Sequence, residues 1–176
     1  MIACMPSTLY NTIIRFCILR EGAIPMHRIL FICHGNICRS TMAQFVFADL
    51  VKRRHVDHLF IIDSAATSRE EIGNPPHHGT VRKCREKGVP VLTHYATQLT
   101  RADYDNYDYL IGMDTWNIRN ILRIIDRDPE EKVHKLLEFA DSSEDIDDPW
   151  YTGDFETTYQ DVLRGCEGLL AQILGA

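Results

Sequence analysis

The sequence predicts an α/β fold: a three-layer, doubly wound, four-stranded parallel sheet with helices on both faces. Three observations predict it. Short apolar runs alternate with longer stretches of helical periodicity, which implies right-handed crossovers between parallel strands. The first run, Arg28-Ile-Leu-Phe-Ile-Cys33, is unbroken after its arginine, as suits a strand covered on both sides. Finally, 176 residues with 45% hydrophobic and 25% charged side chains suit one domain with a sizeable core and exclude a disordered or low-complexity chain.

Each element follows in order. Residues 28–33 form the first strand. From Ser40 to Arg54 the pattern is helical, with Met42, Val46 and Leu50 on one face and basic residues in the last turn. Residues 59–65 form a second strand. Gly73-Asn-Pro-Pro76 is a loop, and a helix over 78–87 is stopped by Gly88 and Pro90. Residues 107–113 form a third strand, and Asp114 caps a helix over 115–126. Residues 133–139 form a fourth. Phe155, Tyr159, Val162, Cys166, Leu169 and Ile173 mark a long amphipathic helix over 155–174.

The first 25 residues stand apart. Their apolar run, Ile13–Leu19, is interrupted by Arg15 and too short to span a bilayer. No basic residue precedes it, as a signal peptide requires. Residues 1–25 are therefore expected to be an N-terminal extension, poorly ordered or lying ahead of a true start at Met26, and residues 26–176 a single domain.

Nineteen basic against twenty-five acidic side chains give a net charge of −6, the wrong sign for a general binder of nucleic acid or anionic membrane. Any bound anion must be captured by local geometry. Six cysteines without a CxxC pair fit neither a disulfide scaffold nor a zinc ribbon. They point to reduced thiols and a cytoplasmic location.

Between the first strand and first helix lies Cys33-His34-Gly35-Asn36-Ile37-Cys38-Arg39-Ser40. Such a loop turns successive N–H groups inward around a tetrahedral dianion, and the following helix adds its own N–H groups and dipole. Gly35 permits close backbone approach. Asn36 tolerates left-handed geometry and braces the loop. Arg39 offers a planar fork to two phosphate oxygens. Positive surroundings favour the thiolate of Cys33, and the Ser40 hydroxyl can donate to it. A thiolate beneath a phosphate invites in-line attack on phosphorus. The bland alternative is a buried cysteine in a helix-capping loop.

These residues resemble the low-molecular-weight protein tyrosine phosphatases, whose signature C-x-G-N-x-C-R-S is matched without a gap from Cys33 to Ser40. The resemblance spans about residues 28–174. It implies a cytoplasmic phosphatase domain without cofactor or metal, acting on tyrosine-phosphorylated proteins and existing as a monomer or weak homodimer. It implies Cys33 as nucleophile, Arg39 and the loop from His34 to Ser40 as phosphate binders, and Asn36, Ser40, Ser64 and His94 as a supporting hydrogen-bond shell. Cys38 would trap an oxidised Cys33, although a small packing role suits it equally.

A leaving tyrosinate needs a general acid. Asp128-Pro129 reads as a turn after a helix. Asp148-Pro149-Trp150-Tyr151 follows the fourth strand and can reach the Cys33 end of the sheet. Proline biases Asp148 toward extended backbone, and the family's D-P-aromatic-aromatic motif also selects it. Asp141, Glu144, Asp145 and Asp147 crowd this approach. They either help hold the proton on Asp148 or form a solvated acidic loop. Trp150 and Tyr151 are expected to wall the cleft. Glu70 stands where the family carries a further aromatic residue, and the role of His34 is open.

Ile37 resembles the phosphotyrosine enzymes, whereas relatives with threonine there look like protein arginine phosphatases, the first alternative. A thioredoxin-coupled arsenate reductase shares the loop but needs a cysteine relay, for which only Cys84 and Cys166 remain. A non-catalytic phosphate-binding module would lack the nucleophile or the acid. A metal site from Cys33, His34, Cys38, His77 and His78 fits no closed tetrahedral spacing.

Overall fold

The structure, a computed structural model, describes residues 26–175. The expected N-terminal extension lies outside them. Four parallel strands, β1 (His27–Cys33), β2 (Phe60–Ala66), β3 (Tyr109–Gly112) and β4 (Val133–Lys135), form one sheet in the order β2-β1-β3-β4. The helices are α1 (Arg39–Arg53), α2 (His78–Glu86), α3 (Asp103–Asn106), α4 (Thr115–Ile125), α5 (Pro149–Thr152) and α6 (Phe155–Leu174). Short 3-10 turns cover Asp57–Leu59 and Leu136–Ala140. No helix among the described residues is long and apolar enough to cross a membrane.

The pleat of β1 explains its unbroken apolar run. Ile29, Phe31 and Cys33 face a core shared with Met42, Phe45 and Val46 of α1 and Val162 and Leu169 of α6. Leu30 and Ile32 face the opposite core, with Leu110, Ile121 and Ile125. Each such buried side chain contributes about 1.5–3 kcal/mol. The chain leaves β1 toward β2 and returns across it to β3, so the strand order reverses between β1 and β3. Ligand crevices form at that reversal, beyond the carboxyl ends of the strands. Cys33 and Asp114 stand there.

Two strands are shorter than expected. The third begins at Tyr109 because the Tyr107 N–H closes α3 on the Asp103 carbonyl at 3.1 Å. It ends at Gly112 because the Met113 N–H turns to Asn117 Oδ1 at 3.1 Å. The expected fourth strand, 133–139, stops at Lys135, and Leu136–Ala140 coil as a 3-10 turn instead. The cause lies in α6, where Gly165 and Gly168 leave room for this segment. A Cβ on Gly165 would lie 2.6 Å from Leu136 Cγ, and one on Gly168 only 1.9 Å from the Phe139 carbonyl oxygen. The coil therefore packs directly on the helix backbone.

Gly168→Ala tests this contact. Alanine gains about 1 kcal/mol of helix propensity, but its methyl meets a main-chain carbonyl that cannot swing aside, and overpacking costs about 1–3 kcal/mol. At 1.9 Å from a main-chain oxygen the overpacking lies at the upper end of that range, so urea unfolding should show a net loss of about 2 kcal/mol. Unchanged stability would mean that the close approach is not a constraint.

Candidate active site

Cys33 ends β1, and the loop to Ser40 bends back over it. Asn36 is the pivot, fully buried with φ 58°. Its backbone N–H donates to Cys33 Sγ at 3.2 Å. Its side-chain Oδ1 accepts the Thr97 N–H at 3.1 Å, which fixes the oxygen side of the amide. His94 Nε2, 3.0 Å from the same oxygen, is therefore the donor. Burial lowers the His94 pKa despite opposing contributions from Asp63 and Asn36, in keeping with a neutral ring. The Asn36 Nδ2 group donates to Ser40 Oγ and Ser64 Oγ, both at 2.9 Å. Ser64 passes its proton side to Gln44 Oε1 at 2.7 Å. With Ser40 Oγ already accepting from Asn36, its own hydrogen points to Cys33 Sγ, 3.0 Å away.

Arg39 opens α1 and is 3% exposed. Its Nη1 donates to Asp114 Oδ2 at 2.5 Å and to the Ile146 carbonyl at 2.9 Å. Its Nη2 donates to Asp148 Oδ2 at 2.6 Å. Its buried Nε has no hydrogen-bond partner among the described residues. Burial opposes the charge, but Cys33, Asp148 and Asp114 outweigh it and raise the pKa of the guanidinium.

Asp148 has the extended backbone expected before proline (φ −81°, ψ 113°) and caps α5, with Oδ1 accepting the Trp150 N–H at 3.1 Å. Pro149 starts that single turn, and Gly153, at φ 71°, ends it. Trp150 meets the His77 ring edge-on at 5.5 Å. His77 in turn stacks on Phe155 at 5.3 Å and donates its backbone N–H to the Ile37 carbonyl at 2.8 Å. The acid turn and the cysteine loop are thus joined through one imidazole.

Two of the acidic residues before Asp148, Asp145 and Glu144, have partners of their own. Asp145 accepts from Lys135 Nζ at 2.9 Å and from the Thr115 N–H and hydroxyl at 3.0 Å. Glu144 faces Ser142 and Arg164, and Asp141 caps the 3-10 turn in left-handed geometry. The charge against Asp148 is the Arg39 cation. Asp128 is occupied elsewhere, accepting from the Tyr104 hydroxyl and the N–H groups of Lys132 and Val133.

A cavity of about 100 Å³ opens above the cysteine, lined by Cys33, His34, Gly35, Ile37, Cys38 and Asp148. Trp150 and Tyr151, 55% and 82% exposed, and Glu70 and Glu71 complete the lining. His34 Nε2 lies 3.1 Å from Glu70 Oε2 across the mouth. Burial, with the charges of Cys33 and Asp148, pushes the Cys38 thiol up to about 12. Cys84 and Cys166 are fully buried in the core, and burial raises both thiols.

All the site residues expected from the sequence meet at this end of the sheet. Four further participants were not marked by the sequence: Asp114 beyond its cap role, Gln44, Thr97 and the Ile146 carbonyl. Only Asp114 carried a signal, as a carboxylate directly after β3 at the same sheet end as Cys33.

The family model described as low molecular weight phosphotyrosine protein phosphatase matches residues 28–175. The low molecular weight protein-tyrosine-phosphatase YfkJ of Bacillus subtilis is 39% identical over 150 residues, 84% of this chain and 96% of that one. Its crystal structure superposes with a TM-score of 0.83 at 38% identity, covering 88% of this chain and 98% of that one. The Homo sapiens low molecular weight phosphotyrosine protein phosphatase is 39% identical over 147 residues, 81% and 92% of the two chains. A crystal structure of a Drosophila arginine phosphatase superposes with a TM-score of 0.75 at 25% identity, covering 82% and 96%. With a cysteine loop of matching signature on a matching fold, this chain belongs to the low molecular weight phosphotyrosine protein phosphatase family.

Proposed function

We propose that the protein hydrolyses phosphotyrosine in proteins through a cysteinyl-phosphate intermediate. The observation that carries this is the ordered hydrogen-bond chain from Thr97 and His94 through Asn36 and Ser40 to the Cys33 sulfur. Two donors, the Ser40 hydroxyl and the Asn36 N–H, stabilise negative sulfur. In the first step Cys33 Sγ attacks phosphorus. The S–P bond forms, the bond to the tyrosine oxygen breaks, and Asp148 gives that oxygen its proton. In the second step water attacks phosphorus and gives a proton to the Asp148 carboxylate. The S–P bond then breaks, releasing phosphate and thiolate.

Arg39 divides its work. Asp114 and the Ile146 carbonyl anchor Nη1. The unpartnered Nε offers a donor to a phosphate oxygen. A dianion in the loop competes with Asp148 for Nη2, which frees the carboxyl for the leaving oxygen. Together with inward loop amides, the guanidinium stabilises charge spreading over the equatorial oxygens.

Trp150 and Tyr151 suit an aryl phosphate, and Ile37 favours phosphotyrosine over phosphoarginine. The Drosophila relative keeps phosphoarginine as the second substrate to test. The core positions of Cys84 and Cys166 argue against an arsenate-reductase relay. The four cysteines among the described residues are free thiols. Cys38 lines the pocket with Cys33. When peroxide oxidises Cys33 to the sulfenic acid, the Cys38 thiol condenses with it to a disulfide and water.

Phosphotyrosine, phosphoarginine and arsenate should be compared with chelator present. Phosphotyrosine should be turned over fastest; preference for phosphoarginine would overturn the substrate class. Cys33→Ser should abolish turnover. Asp148→Asn should slow phosphotyrosine hydrolysis by roughly two to four orders of magnitude, and much less for p-nitrophenyl phosphate, whose leaving group needs no proton. An unaffected variant would place the acid elsewhere. Asp114→Asn loosens the anchored side of Arg39, so kcat/KM should fall about tenfold for both substrates alike. A loss confined to poor leaving groups would assign Asp114 to proton transfer instead.

A further inference from the structure

A second cavity of about 210 Å³ adjoins the catalytic one, lined by His34, Thr67, Ser68, Asn120, Arg123 and Ile124. His34 lines both. The two sides have opposite chemistry. Glu70 and Glu71 sit on the catalytic rim. The second cavity's lining has no carboxylate; its polar side chains include the Ser68 hydroxyl, the Asn120 amide and the Arg123 guanidinium, all able to donate hydrogen bonds, and the His34 imidazole, whose Nε2 lies against Glu70.

The guanidinium lacks an ionic partner. Among the described residues no carboxylate oxygen comes within 4.0 Å of the Arg123 guanidinium.

The cavity is also fixed relative to the nucleophile. The Thr67 N–H donates to the Cys33 carbonyl at 2.9 Å, and the Ser68 N–H to the His34 carbonyl at 3.0 Å. Asn120 and Arg123 ride on α4, whose capping residue Asp114 holds Arg39. One scaffold therefore positions both cavities.

We propose that this cavity is a subsite for a second anionic group of the substrate, an aspartate or glutamate carboxylate or a phosphoryl group, carried on a residue near the phosphotyrosine. The subsite rests on the phosphotyrosine function proposed above. An extended peptide advances about 3.3–3.6 Å per residue, so the second group belongs to a near neighbour in sequence. Glu70 and Glu71 repel an anion on their side, while Arg123 attracts it on the other. Attraction and repulsion together set the direction in which the peptide lies.

The test is steady-state kinetics on a phosphotyrosine peptide series. Alanine, glutamate, phosphoserine or lysine is placed singly at each position near the phosphotyrosine, and phenol release is followed. p-Nitrophenyl phosphate, which has no flanking residues, is the control. Glutamate and phosphoserine on one side should raise kcat/KM about tenfold over alanine, and the gain should shrink as salt rises. Arg123→Ala should erase the gain, Arg123→Glu should transfer it to lysine, and both should leave the control unchanged. A larger gain from phosphoserine than from glutamate identifies a phosphoryl occupant; the reverse identifies a carboxylate. An acidic-to-alanine ratio unchanged by Arg123→Ala, or an equal loss on the control, overturns the subsite. Equal turnover of all peptides defeats the subsite alone, whereas no turnover of any phosphotyrosine peptide defeats the function and the subsite with it.

Discussion

A buried guanidinium needs anions and carbonyls around it, because an uncompensated charge in the interior costs several kcal/mol. Arg39 meets this need by drawing three separate parts of the chain together: Asp114 after β3, the Ile146 carbonyl, and Asp148 at the start of α5. None of these is near Arg39 in sequence. The parallel sheet brings the ends of β1 and β3 side by side, and the arginine then ties the later loop to them. The catalytic geometry is thus a by-product of neutralising one cation.

Asn36 plays the corresponding neutral part. Its left-handed backbone turns an N–H onto sulfur, while its side chain is satisfied on both ends by Thr97, His94, Ser40 and Ser64. An amide with every donor and acceptor placed has one orientation. That single orientation decides which way the Ser40 hydrogen points. Substituting aspartate would remove the two N–H donors to Ser40 and Ser64 and put a second negative charge beside the sulfur.

Much of this was legible in the sequence because it is local. The apolar run of β1, the spacing of α6 and the eight residues from Cys33 to Ser40 each carry their information within one element. Asp148 was legible through its proline and the aromatic pair after it. What stayed hidden depends on contacts between distant segments. The second duty of Asp114 requires knowing that β3 lies beside β1. The coil that replaces the end of the fourth strand depends on Gly165 and Gly168, some thirty residues downstream of it. The acidic stretch before Asp148 allows either an electrostatic role or a solvated loop in sequence, and the partners of Asp145 and Glu144 show where those two charges go.

The short turn that carries Asp148 has a mechanical consequence. Proline stiffens one end of α5 and a left-handed glycine terminates the other, while the Trp150 indole leans on His77. The carboxyl is therefore mounted on a small rigid paddle rather than on a freely rotating arm. Where that paddle stands is set in part by His77, which is not in the pocket lining, so a residue that does not face the cavity helps decide where the carboxyl stands.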